Sequence, residues 1–248
     1  MKEKETSLEI ANTEVPAFLK DKINEPGRGN ENVSVDDMTV PRLELIQNMS
    51  PCRNKKEPSY IEGAEEGMLY NNVTRELYGE EVYMIFGAFK VEYLLWKDRK
   101  QGGGFFGAYP TMEEAKGAID ALGSDGVGVE AQKTHQHYGL IIDKETGRLQ
   151  PILLSMSRTK EKVSKRLNSV IKMQGGDRFS RIFKVFTVQE QNKSGDSYYN
   201  LNFKFQGFVN EPQYIEAEKI YNMAKSGQLQ ASQDYDDSKS TFEESEEF

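Results

Sequence analysis

Between Tyr138 and Val209 the hydrophobic period of the chain changes from two to 3.6 and back to two, and few folds accommodate both changes. Residues 137–143 and 148–156 read as a strand pair joined by a turn at Gly147. From Ser157 to Met173, Val163, Leu167, Val170 and Ile171 recur at i, i+4, i+7 and i+8, one stripe of a helix that Gly175-Gly176 stops. Ile182–Gln189 and Tyr198–Val209 then make a second strand pair across Asn192–Asp196. In the last strand Tyr199, Leu201, Phe203 and Phe205 alternate with Asn200, Asn202, Lys204 and Gln206. One face is therefore expected in the core and the other in water, as in an antiparallel sheet.

The rest of the chain extends this frame. Met38–Ile46 alternates with Leu43 and Leu45 on one face, Met68-Leu69-Tyr70 reads as a short strand, and 71–74 as a turn. Val82–Trp96 is a long aromatic and β-branched strand in which Gly87 marks a bend or bulge. Thr111 caps a helix reaching Leu122, with Glu113 and Glu114 in its first turn. A last helix covers Pro212–Ala224. Strand pair, helix, strand pair after a β-rich first half is the order of an OB barrel, whose helix falls between its third and fourth strands; a generic α+β sandwich is the plainer alternative. The expected fold is β-rich α+β: an OB-like antiparallel barrel over residues 38–226 with a helix between strand pairs and a C-terminal helix. A disordered acidic arm (1–37) and a disordered acidic tail (227–248) flank it.

Charge divides along the same lines. Lys144 to Lys204 carries thirteen Lys/Arg against five Asp/Glu, a net of +8, inside a chain whose net is −8. Residues 1–40 have a net of −4 and residues 234–248 a net of −6. An overall pI of 5.1 argues against nucleic acid; a basic body between acidic ends argues for it. On the helix, Arg158, Lys160, Lys162, Lys165, Arg166 and Lys172 face a single acid, Glu161, so pairing within the helix leaves most of them free for phosphates. Lys184 and Lys204 add to this surface from the second strand pair.

Trp96–Tyr109 is the sharpest site candidate. It places Trp96, Phe105, Phe106 and Tyr109 around Arg99, Lys100 and the run Gly102–Gly104. Single strands are held by aromatic platforms beside cations, and glycines let the backbone approach closely. The plainer reading is a hairpin tip with buried rings. Catalytic motifs are absent. The glycine run is not followed by Gly-Lys-Ser/Thr, and neither H-E-x-x-H nor G-x-S-x-G occurs. His135-Gln136-His137 lacks accompanying cysteines or carboxylates and reads as polar edge residues, although scattered acids leave a magnesium site open. The lone Cys52 excludes an internal disulfide and a cysteine zinc site. With no apolar run of membrane length and no signal-peptide layout, a cytoplasmic protein with no cofactor is expected.

Asp234 to Phe248 holds Asp236, Asp237, Glu243, Glu244, Glu246 and Glu247 and finishes on an aromatic carboxylate. This stretch resembles the acidic, Phe-terminated tail of bacterial and bacteriophage single-stranded-DNA-binding proteins. Val40-Pro41-Arg42-Leu43, Ser50-Pro51 and Trp96-x-x-Arg99-x-x-Gly102-Gly103-Gly104 resemble phage members of that class. The resemblance implies an OB fold, coating of exposed single strands in replication or recombination, and a tail that recruits a polymerase, helicase or primase through Phe248. The expected protein is a non-enzymatic binder, possible as a homo-oligomer, in the cytoplasm of an infected host cell. The alternatives are a metal-dependent nuclease or annealing enzyme, and a protein-interaction module whose acidic ends mimic DNA.

Overall fold

The computed structural model describes residues 40–98 and 103–229 together with Gly29. The chain divides into two compact units, Met1–Met38 and Thr39–Phe248, and every helix and strand among the described residues lies in the second. The arm expected over 1–37 (Gly29 apart) and the tail beyond Leu229 lie outside the described residues. The folded part runs slightly further than expected, since Leu229 is still buried.

A large antiparallel sheet is built around β4 (Glu81–Lys97), the strand expected over 82–96. Its first five residues pair with β8 (Arg181–Gln191), and nearly its whole length pairs with β6 (Val129–Ile142). Outside these lie β7 (Leu149–Ser157) beside β6 and β9 (Ser197–Phe208) beside β8. The short β5 (Phe105–Tyr109) joins the far end of β4. The bulge expected at Gly87 falls between Phe86 and Ala88, opposite Gly139 and Tyr138. A Cβ on Gly87 would lie 2.9 Å from the Ile220 side chain, so the missing side chain is what lets the last helix seat on the sheet.

Period-two alternation sends side chains to two cores. Met84, Phe86, Ile152, Leu154, Phe183, Val185 and Leu201 pack beneath α2 (Thr159–Gln174), whose Val163, Leu167 and Ile171 form the expected stripe. On the other face Ile85, Tyr138, Leu140 and Leu153 meet Ala217, Ile220 and Ala224 of α3 (Glu211–Lys225). α1 (Met112–Ala121) covers the distal end of the sheet, capped by Thr111 as expected, with Glu114 N–H donating to Thr111 Oγ1 at 3.1 Å.

The protein is thus a β-rich α+β fold with antiparallel sheets and three helices. Among the described residues β7 and β9 do not pair, and no closed barrel forms. The segment before β1 (Leu43–Leu45) and the residues after it span that gap instead. Leu153 N–H on β7 donates to Pro41 O at 2.8 Å. At the other end the Gln47 amide grips β9, donating to Tyr199 O (2.6 Å) and accepting from Tyr199 N–H (3.0 Å). β1 also pairs with β2 (Leu69–Asn71), and β2 with β3 (Leu77–Gly79), in a small separate sheet.

Candidate nucleic-acid interface

α2 carries its charges where the stripe predicts. Lys162, Lys165 and Arg166 are exposed, Lys160 is half-buried, and Arg158 precedes the first turn. These cations are not all idle. Glu161 accepts from Lys165 at 2.7 Å and from Lys133 at 3.2 Å, and these bonds hold its carboxyl below the usual range. Such surface pairs contribute about 0–1 kcal/mol each, so an arriving phosphate can displace them. Arg166 donates to Asn202 Oδ1 and lies 4.9 Å over the Phe203 ring, tying the helix to β9. Lys184 is bound to Glu81, which also takes Lys144 at 2.8 Å. Lys184 therefore reads as a strand-to-strand tie, while Lys204, its cross-strand neighbour, stays exposed.

β9 departs from the expected alternation at its C-terminal end. Leu201 is core, and Tyr199 and Phe203 pack against it, but Phe205 is 37% exposed and Phe208 70%. The cause is local: the β8–β9 register shifts between Ile182 and Phe183, so the twist carries the strand end off the core. The two rings sit edge to face at 5.5 Å, and the Arg181 guanidinium lies 5.6 Å from Phe208. Met173, near the end of α2, is 86% exposed. The helix cations and the two solvent-facing rings make one strip along α2 and the end of β9, where Arg181 joins Phe208 to Gln174 O (3.0 Å). Lys204, by contrast, alternates with Phe203 and Phe205 and projects from the other face of the strand. Reading the rings as core hid Phe205, and the sequence carries no local mark for Phe208.

The Trp96–Tyr109 candidates separate. Trp96 and Phe105 are cross-strand neighbours with rings 5.1 Å apart and stand half-buried. Phe106 and Tyr109, each half-buried, pack with Leu95 and Ala115 beneath α1. Arg99 and Lys100 lie outside the described residues, as do Asp236, Asp237, Glu243, Glu244, Glu246, Glu247 and Phe248.

His135 and His137 are not edge residues: β6 is flanked by strands on both sides, and both histidines are buried. Their spacing does put them on one face, where the Ser164 hydroxyl lies 2.7 Å from His135 Nδ1 and 2.7 Å from His137 Nε2. Arg178 Nη2 stands 2.8 Å from His137 Nδ1. Because a guanidinium only donates, the proton positions follow in sequence. His137 accepts at Nδ1 and donates from Nε2 to Ser164, and Ser164 donates to His135 Nδ1. The remaining His135 N–H lies 3.6 Å from Glu161. Burial, then the adjacent Arg178 and His135, push the His137 pKa well below the usual value. The chain joins α2 to the turn at 178–180, and sequence reasoning missed Ser164 and Arg178 because their partners are 27 and 41 residues away.

Among the described residues no three His, Cys, Asp or Glu side chains converge to hold a metal ion, and no helix is long and apolar enough to cross a membrane. The class so defined is a β-rich α+β protein whose main helix lays a basic face beside exposed aromatic rings. Its sequence matches the profile of the Pam3 phage gp34-like protein family over residues 3–230, and the chain belongs to that family of phage proteins. No curated protein and no solved structure matches it.

Proposed function

We propose that the protein binds single-stranded DNA without sequence preference, as an accessory to phage DNA replication or recombination, with no chemical step of its own. The observation that carries this reading is the exposure of Phe205 and Phe208 beside the cationic face of α2. Flat rings that accept any base and cations that follow a backbone are the two requirements of sequence-tolerant single-strand binding. An OB-like fold is the matching finer description. In β4, β6, β7, β8 and β9 the first strand pairs with the second and fourth, the fifth pairs with the fourth, and α2 falls between third and fourth. A partly open barrel is compatible with that fold, and residues 41–47 occupy the opening. The acidic segment 234–248 is assigned to partner recruitment through Phe248, by resemblance to phage single-stranded-DNA-binding proteins, in the host cytoplasm.

The test is fluorescence anisotropy of labelled oligo-dT, oligo-rU and duplex with the full chain, repeated with Phe205→Ala and Phe208→Ala. Binding of oligo-dT over duplex, weakened by about 1–3 kcal/mol in each variant at unchanged Tm, is the expected result. Equal affinity for duplex, or variants that bind as wild type, would move the site elsewhere. Magnesium-dependent cleavage of the probe, lost on chelation, would favour the nuclease alternative.

A further inference from the structure

β4 has a gap in its pairing. It meets β8 only as far as Ile85 and β5 only from Tyr93, so between them a partner strand lies on the β6 side alone. A cleft of about 370 Å3 opens at this gap, between the bulge of β4, the turn at 178–180 and one flank of α3. Its wall sets the cations Lys90, Arg178 and Lys225 against the acids Asp177 and Glu218, an excess of positive charge, beside the rings of Phe89, Tyr214 and Tyr221.

Arg178 is the unusual member. Its guanidinium is packed 5.5 Å from the Phe89 ring and 5.9 Å from that of Phe86. Its one hydrogen bond goes to a neutral imidazole, His137, and its buried Nε–H has no acceptor. Among the described residues no carboxylate forms an ion pair with it, and the nearest acid in sequence, Asp177, accepts from the Tyr214 hydroxyl at 2.6 Å. Burial lowers its pKa to about 10, which leaves it charged at neutral pH. Arg178 is half-buried, and a cation held largely out of water without an anion is unfavourable, a cost that proteins bear where a ligand supplies the missing charge.

We propose that this cleft binds a nucleotide through its phosphate, with Arg178 and Lys225 facing the anion and Tyr221 offering a face to the base, while the Lys90 ammonium is held by Leu229 O at 3.0 Å. An anion alone would need no aromatic wall. Tyr221 is 39% exposed and has the Lys225 ammonium 5.8 Å from its ring centre, so base and phosphate subsites adjoin. The volume lies at the lower end of small-ligand pockets, roughly 300–1,000 Å3, as a single nucleotide requires. This site is separate from the α2–β9 strip and does not rest on the single-strand reading.

Calorimetric titration of the full chain with thymidine 5′-monophosphate, thymidine and inorganic phosphate tests it. The monophosphate is expected to bind at least tenfold more tightly than thymidine or phosphate. Lys225→Glu, on the exposed side of α3, should weaken it at least fivefold, and Arg178→Lys more, while Lys162→Ala with Arg166→Ala leaves it unchanged. Oligo-dT with and without a 5′-phosphate separates the sources. Tighter binding of the phosphorylated strand, lost in Lys225→Glu, identifies a strand end, and equal binding identifies a free nucleotide. No saturable monophosphate binding, or binding indifferent to Lys225→Glu, overturns the proposal even if Arg178→Lys fails to fold.

Discussion

His137 shows how one buried side chain sets the response of the fold to acid. Its pKa is depressed in the native state, and that of His135 is lowered too, chiefly by burial. The unfolded chain takes up protons at about pH 6.5, where the native chain does not. Their contribution is therefore complete above that pH and is lost as pH falls below it, by about 1.4 kcal/mol per pH unit for each histidine that stays neutral. Urea midpoints measured from pH 7.5 to 5 should fall steadily below pH 6.5; a flat profile would mean that both rings are protonated in the native state. Arg158 makes a different point. It holds φ 51° and ψ −122°, outside the left-handed helical well, while its Nε donates to Gln132 at 2.9 Å. Non-glycine residues in such conformations cost about 1–3 kcal/mol and are retained where function needs the side chain. Arg158→Gly should therefore raise stability by about 1 kcal/mol and weaken oligo-dT binding. A lower Tm would show that the Gln132 contact outweighs the strain.

Among the elements, α2 carries the proposed binding face and residues 41–47 bridge β7 and β9. If α2 follows the phosphates, log affinity for oligo-dT falls linearly with log salt at about −0.7 per contact. Lys162→Ala with Arg166→Ala should make that slope shallower by roughly one to two units. An unchanged slope would remove the helix from the interface. Gln47 carries two bonds to the β9 edge, each with a net value of about 0.5–1.5 kcal/mol. Gln47→Ala should cost about 1–3 kcal/mol in urea denaturation and expose a strand edge prone to self-association.

Across the whole molecule, seven acids and one lysine in residues 234–248 share a chain with a basic strip. If that tethered polyanion competes with DNA for the same cations, it does so at an effective concentration near millimolar. Removing 234–248 should tighten oligo-dT binding, most at low salt where the competition is least screened. Removing Phe248 alone should leave DNA affinity nearly unchanged and impair partner stimulation. DNA binding that weakens on tail deletion would rule out the competition.

Periodicity and composition by themselves determined the elements with a strong local apolar pattern: the stripe of α2, the strand at 82–96 with its Gly87 bulge, and the strand pair at 182–189 and 198–209. In each, local order is enough because burial repeats at the period of the element. Tertiary structure decided the rest, where partners are distant in sequence. Residues 130–137 are mostly polar, yet they extend β6 because β4 pairs along them and His135, Gln136 and His137 find buried hydrogen bonds. β5 follows a glycine run and exists by pairing with the end of β4. Phe106 became half-buried and Phe205 exposed for the same reason: where α1 and the β8 bulge lie decides how far each ring meets water, and neither position is written in the local alternation.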